Sequence, residues 1–150
     1  MRIAAALLWM AALAGYDVRC RRLPNWLTLP GFTTIMAVAT CTGHGAAAIL
    51  GATALTALYL VVHLVSPTAM GAGDVKLALG LGALTGCFGA DVWFLAALGA
   101  PLLTAATAVV AMLRRSTPSV PHGPSMCLAS IAAMSLSVLS WPDWQRLAVP

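Results

Sequence analysis

From Leu23 to Gly73 the chain reads LPNWLTLPGFTTIMAVATCTGHGAAAILGATALTALYLVVHLVSPTAMGAG, without an Asp, Glu, Lys or Arg. A helix needs about 20 apolar residues to cross the hydrocarbon of a bilayer, so this stretch holds two crossings and the turns around them. Working outward, Val92 to Met112 and Ser116 to Pro142 are also uncharged. Of the 150 residues 61% are hydrophobic and only 8% charged, where a soluble domain has roughly a quarter charged. A soluble globular enzyme is excluded. Backbone groups in lipid must be satisfied internally, and a chain of this pattern does so with helices.

Breaks marked by charge, Gly or Pro fall at Tyr16 to Asn25, Thr42 to Gly45, Ser66 to Gly73, Gly89 to Asp91 and Arg114 to Pro124. They divide the chain into six expected spans: Ile3 to Tyr16, Trp26 to Cys41, Ala46 to Val65, Asp74 to Phe88, Val92 to Leu113 and Ser125 to Trp141. The expected fold is an all-α polytopic membrane bundle forming one domain over residues 1–150. With the N-terminus outside, Arg19, Arg21, Arg22, Lys76, Arg114 and Arg115 lie inside, and only Arg2 and Arg146 outside. That asymmetry sets an N-out, C-out orientation in a multi-pass protein of the cytoplasmic membrane. The first segment is read as a retained helix rather than a cleaved leader, because the three arginines after it would impede export.

The scattered cations form no continuous basic stripe, which argues against nucleic acid. The cysteines Cys20, Cys41, Cys87 and Cys127 form no C-x-x-C pair, and with no Glu in the chain there is no H-E-x-x-H zinc helix. No metal and no cofactor is expected. The cysteines read as apolar packing residues, away from any chemistry. Ala78, Gly82 and Gly86, four apart, offer one helix face on which a neighbour can approach closely.

Charge at membrane depth costs about 2.5 to 3.5 kcal/mol at a helix centre on insertion scales, so the four aspartates are where function is sought. Asp91 and Asp143 fall at outer edges, where solvation or capping accounts for them. Asp17 and Asp74 fall at the inner ends of the first and fourth spans, so loops distant in sequence bring both to one face. Singly, Asp17 reads as a partner of Arg19 or Arg21, and Asp74 as the cap of its helix. Together, two close carboxylates in low dielectric share one proton and so hold an acid and a base in one site, the logic of aspartic proteases. Paired intramembrane carboxylates also serve proton relays, so a small proton-coupled transporter stays open, as does an inactive subunit of an assembly complex. His122-Gly123-Pro124-Ser125 reads as a turn, not as part of a serine hydrolase.

Three segments resemble a known family. Asp17-Val18-Arg19-Cys20-Arg21-Arg22-Leu23-Pro24-Asn25-Trp26-Leu27-Thr28 is similar to the D…R-x-[IL]-P-N-x-L-T segment of type IV prepilin peptidases. Gly71-Ala72-Gly73-Asp74-Val75-Lys76 resembles their G-x-G-D-x-K motif, and Pro121-His122-Gly123-Pro124 their P-x-G-P turn, with His122 where many members carry an aromatic. The resemblance implies a membrane protease that removes the basic leader from prepilin or pilin-like substrates at the cytoplasmic boundary, with Asp17 and Asp74 as the catalytic pair. Longer members carry a cysteine-paired cytoplasmic insert and methylate the product. This chain has neither, and so resembles the short, peptidase-only form associated with Flp/Tad-type pili.

Supporting roles follow for the flanking residues. Pro24 fixes the entry to the second span, and Asn25, the one Asn in the chain, orients a carboxylate, binds substrate backbone or caps its helix. Gly71 and Gly73 supply unusual torsions or close approach. Lys76, the one lysine, steadies Asp74 or reaches the interface. Gly123 and Pro124 shape the last turn.

Overall fold

The computed structural model describes residues 2–20, 23–67, 70–114 and 122–140. Among these the chain is all helical: α1 (Arg2–Cys20), α2 (Asn25–Cys41), α3 (Gly45–Val65), α4 (Ala72–Gly86), α5 (Ala90–Leu113) and α6 (His122–Ser140). Three of them, α3, α5 and α6, are long and apolar enough by themselves to cross a membrane. With α2 at 17 residues and α4 at 15, a rise of 1.5 Å per residue makes them only about 25 and 22 Å long. Large apolar side chains such as Leu8, Leu50, Leu64, Leu98, Leu102 and Leu113 point outward, the surface a bilayer would cover.

The helices begin and end where local chemistry allows, which differs from the expected bounds by a few residues. α1 runs on through Asp17 to Cys20 rather than ending at Tyr16. α4 begins at Ala72 rather than Asp74, and α6 at His122 rather than Ser125. In α6 the reason is that Pro124, which lacks an N–H, falls in the first turn, where that N–H has no helical partner anyway. The segment expected to be a turn before the helix is the helix start. Between α2 and α3, and between α4 and α5, the reversals rest on Gly43 at φ 79° and Gly89 at φ 111°, left-handed torsions that favour glycine.

The short helix α4 is the centre of the bundle, packing on α2, α3, α5 and α6, with Leu77, Ala78, Leu81, Ala83 and Thr85 at its buried surface. The Ala78, Gly82, Gly86 face does bring a neighbour close, and that neighbour is α3. A Cβ on Gly82 would stand 2.5 Å from the Gly51 carbonyl oxygen, and one on Gly86 2.7 Å from that of Ala47. α1 lies against α6 and α2. Its Trp9 seats its ring against Gly31 of α2 and Gly80 of α4, and donates its indole N–H to the Leu27 carbonyl at 2.9 Å. A half-buried indole N–H thereby finds its acceptor.

Candidate active site

One end of the bundle gathers the C-terminal end of α1 and the N-terminal ends of α2, α4 and α6. Asp17 lies in the last turn of α1 and is 7% exposed. Its Oδ2 accepts the backbone N–H of Gly123, in the first turn of α6, at 3.2 Å. The absence of a side chain at Gly123 makes this possible, since a Cβ there would stand 2.6 Å from that oxygen. The first N–H groups of a helix have no partner inside it, and a carboxylate placed there satisfies one of them.

Asp74 is the third residue of α4 and is also buried, at 9% exposed. Gly71 precedes the helix, and Asp74 reaches back to it: Oδ2 accepts the Gly71 N–H at 3.2 Å, while the Asp74 N–H donates to the Gly71 carbonyl at 3.1 Å. Asp74 therefore closes the first turn from inside the helix and is not the cap preceding it. The two carboxylates lie within electrostatic range of each other. Among the described residues neither is joined to a cation. Asp17 is held by Gly123, not by Arg19, and Arg21 falls outside the described residues.

The other expected residues divide between this cluster and its rim. Gly73 packs on Leu23, but a Cβ there would stand 3.4 Å from the Leu23 side chain, an ordinary contact, so close approach does not require a glycine at this position. Nor is an unusual torsion the reason: Gly71 sits at φ −74°, ψ 149°, which any residue adopts. Pro24, extended at φ −73°, ψ 137°, offers its carbonyl to the N–H groups of Leu27 and Thr28 and to the Thr28 hydroxyl, starting α2. Asn25 neither caps α2 nor orients a carboxylate. Its Oδ1 accepts from Lys76 Nζ at 2.9 Å on the exposed rim, so the lysine ties α4 to α2 instead of steadying Asp74. Pro121, Asp143, Arg22, Arg115 and Arg146 lie outside the described residues.

Two neighbours were not expected. Tyr59 of α3, 4% exposed, lies within electrostatic range of Asp74, and its hydroxyl meets His122 Nε2 at 3.1 Å. The signal was present, because a tyrosine inside an apolar span needs a partner for its hydroxyl. Cys127 of α6 is buried within electrostatic range of Asp17. It thus departs from the expectation that every cysteine lies away from the site. Cys20 and Cys41 are exposed and Cys87 half-buried. Among the described residues no three His, Cys, Asp or Glu side chains converge as a metal would require.

The fold and this site together define a class: helical membrane proteins that bring two buried carboxylates from separate helices to one end of the bundle. Within that class the chain belongs to the type IV leader peptidase family, which it matches over residues 4–139, and it is thus a membrane peptidase. No curated protein and no solved structure is significantly similar to it.

Proposed function

We propose that the chain is an intramembrane aspartic endopeptidase, a single domain that removes the basic leader from type IV prepilin-like proteins at the cytoplasmic face of the inner membrane. The observation that supports this most is the convergence of Asp17 and Asp74 at one end of the bundle, both buried, each holding one backbone N–H, within electrostatic range of each other and, among the described residues, joined to no cation. Two such groups with one proton between them carry both roles that amide hydrolysis needs. One takes a proton from water as its oxygen adds to the carbonyl carbon, and the other protonates the carbonyl oxygen. On collapse the amine leaves with a proton, and the pair is left with one.

The depth of the site suits the substrate. A prepilin keeps a short basic leader in the cytoplasm and an apolar helix in the bilayer, and cleavage falls between them. Carboxylates at the end of the bundle, beside the exposed Lys76–Asn25 rim, meet an extended peptide at that boundary.

Co-expression with a prepilin tests the reading by leader loss on a gel. The wild-type chain is expected to remove the leader, and Asp17→Asn and Asp74→Asn each to lower cleavage at least about 1,000-fold, since one carboxyl cannot serve as both acid and base. An intact leader with wild type, or full cleavage by either asparagine variant, overturns it.

A further inference from the structure

His63 takes no part in the chemistry above, yet it grips the peptide group on which Asp74 rests. It lies in the last turn of α3 and is half-buried. A histidine there can bond the unpaired carbonyls of its own helix end. This one reaches seven residues onward instead, its Nδ1 standing 2.7 Å from the Met70 carbonyl oxygen in the segment that joins α3 to α4. A carbonyl oxygen only accepts, so Nδ1 carries the proton, as it can in the neutral ring and does in the cation.

The Met70 carbonyl and the Gly71 N–H belong to one planar peptide group, so fixing the direction of the first fixes that of the second. That N–H is the one Asp74 Oδ2 accepts at 3.2 Å. The bonds thus run without a break from imidazole to carbonyl, across the peptide plane, and from N–H to carboxylate. Hydrogen bonds at both ends of a peptide group polarise it and strengthen each other. The neighbouring backbone is tied as well: the Met70 N–H donates to the Ser66 carbonyl at 3.3 Å, and the Gly71 carbonyl accepts the Asp74 N–H at 3.1 Å.

The two carboxyls differ in how their donors are held. Asp17 accepts from Gly123, inside the first turn of α6, where the helix itself directs the N–H. Asp74 accepts from Gly71, which precedes α4 and lies in a connection whose peptide planes no helix holds. A flip of the Met70–Gly71 peptide would turn the N–H away and aim a carbonyl oxygen at the carboxylate. With His63 on that carbonyl, the flip breaks two hydrogen bonds instead of one.

We infer that His63 is a positioning residue for Asp74, locking the Met70–Gly71 peptide in the orientation that holds this carboxyl in place for catalysis. This rests on the aspartic reading above. No proton passes to or from His63 in the reaction. It acts through the peptide group on where the carboxyl stands, so its loss slows the turnover of bound substrate and leaves binding nearly unchanged.

The test uses the full chain purified in detergent, with a prepilin as substrate, and measures kcat and KM beside thermal melts. His63→Leu, which keeps bulk but donates nothing, is expected to lower kcat about 10- to 100-fold, the scale of a reacting group displaced by about an ångström, with KM within about 3-fold. His63→Asn sets an amide N–H where Nδ1 stands, the same number of bonds from the backbone, and should recover most of what the leucine variant loses. His63→Gln carries its amide one bond further out, at the place of Nε2, and should recover less. A histidine that only packed would not favour asparagine, the smallest of the three, over glutamine and leucine. If the leucine variant fails to fold, the comparison of asparagine with glutamine decides. Wild-type kcat in His63→Leu, His63→Asn no faster than His63→Gln, or a loss confined to KM would overturn the proposal. If Asp17→Asn and Asp74→Asn are inactive while His63→Leu behaves as wild type, only this inference falls. Full cleavage by Asp17→Asn or Asp74→Asn instead removes the aspartic reading beneath it.

Discussion

Gly123 carries more of the site than its lack of a side chain suggests. Its N–H is, among the described residues, the hydrogen-bond donor that holds Asp17, and a Cβ at that position would stand 2.6 Å from the carboxylate oxygen and 3.0 Å from its carbon. Gly123→Ala is therefore expected to push Asp17 out of register and lower leader cleavage at least about 100-fold, the scale at which a displacement of about an ångström acts. Unfolding in detergent should stay close to wild type, and cleavage assays beside thermal melts check both. Lys76 and Asn25 lie at the other extreme. Their bond is exposed and is worth about 1 kcal/mol at most, so Lys76→Ala and Asn25→Ala should each stay within about 5-fold of wild-type cleavage. These contrasts mark what was readable in the chain. Asp17 and Asp74 stood out because charge is scarce in an apolar sequence. Of the two roles open to Lys76, the structure shows it at the exposed rim on Asn25 rather than on Asp74, because proximity in a motif does not fix where a long side chain reaches. Tyr59 is hard to pick out in the sequence, since one hydroxyl barely alters the hydropathy of a span.

The element that decides the geometry is α4, short and small-sided, which lets α3 approach until backbones touch. Gly82→Val puts branched methyls where a Cβ already stands 2.5 Å from the Gly51 carbonyl oxygen and 3.0 Å from the Leu55 side chain. Overpacking of that kind costs about 1 to 3 kcal/mol, so a lowered melting temperature is expected, with cleavage falling as the displacement of α4 shifts Asp74 on the same helix. A melt unchanged from wild type would mean that the two helices separate without loss. The small-residue spacing that announces this contact was legible at four-residue intervals. The helix ends were less so, because breaks were placed at charged and Gly/Pro residues that turn out to lie inside first or last turns. Asp17 ends up in α1 and Pro124 in α6, where they satisfy or tolerate the unpaired groups of helix termini.

For the molecule as a whole, which end faces the cytoplasm decides whether a basic leader can reach the carboxylates at all. The six described helices place the C-terminal end of α1 with the N-terminal ends of α2, α4 and α6, and the orientation proposed from the skew of the cations puts that end inside. The chain carries its own reporters. Cys20 is exposed at the last residue of α1, beside the site, and Cys41 is exposed at the last residue of α2. The α2 helix separates them by about 25 Å, close to the thickness of the hydrocarbon. Two variants each keep one of these thiols, with the remaining cysteines changed to serine or, for the buried Cys127, alanine. In intact cells a membrane-impermeant maleimide is expected to label the chain that keeps Cys41 and to spare the one that keeps Cys20. Disrupting the cells should expose Cys20 to the same reagent. Labelling of Cys20 from outside would turn the bundle over and present Asp17 and Asp74 to the outer face. A leader retained in the cytoplasm would then have no route to them, and the substrate proposed above would have to be given up even if both asparagine variants proved inactive.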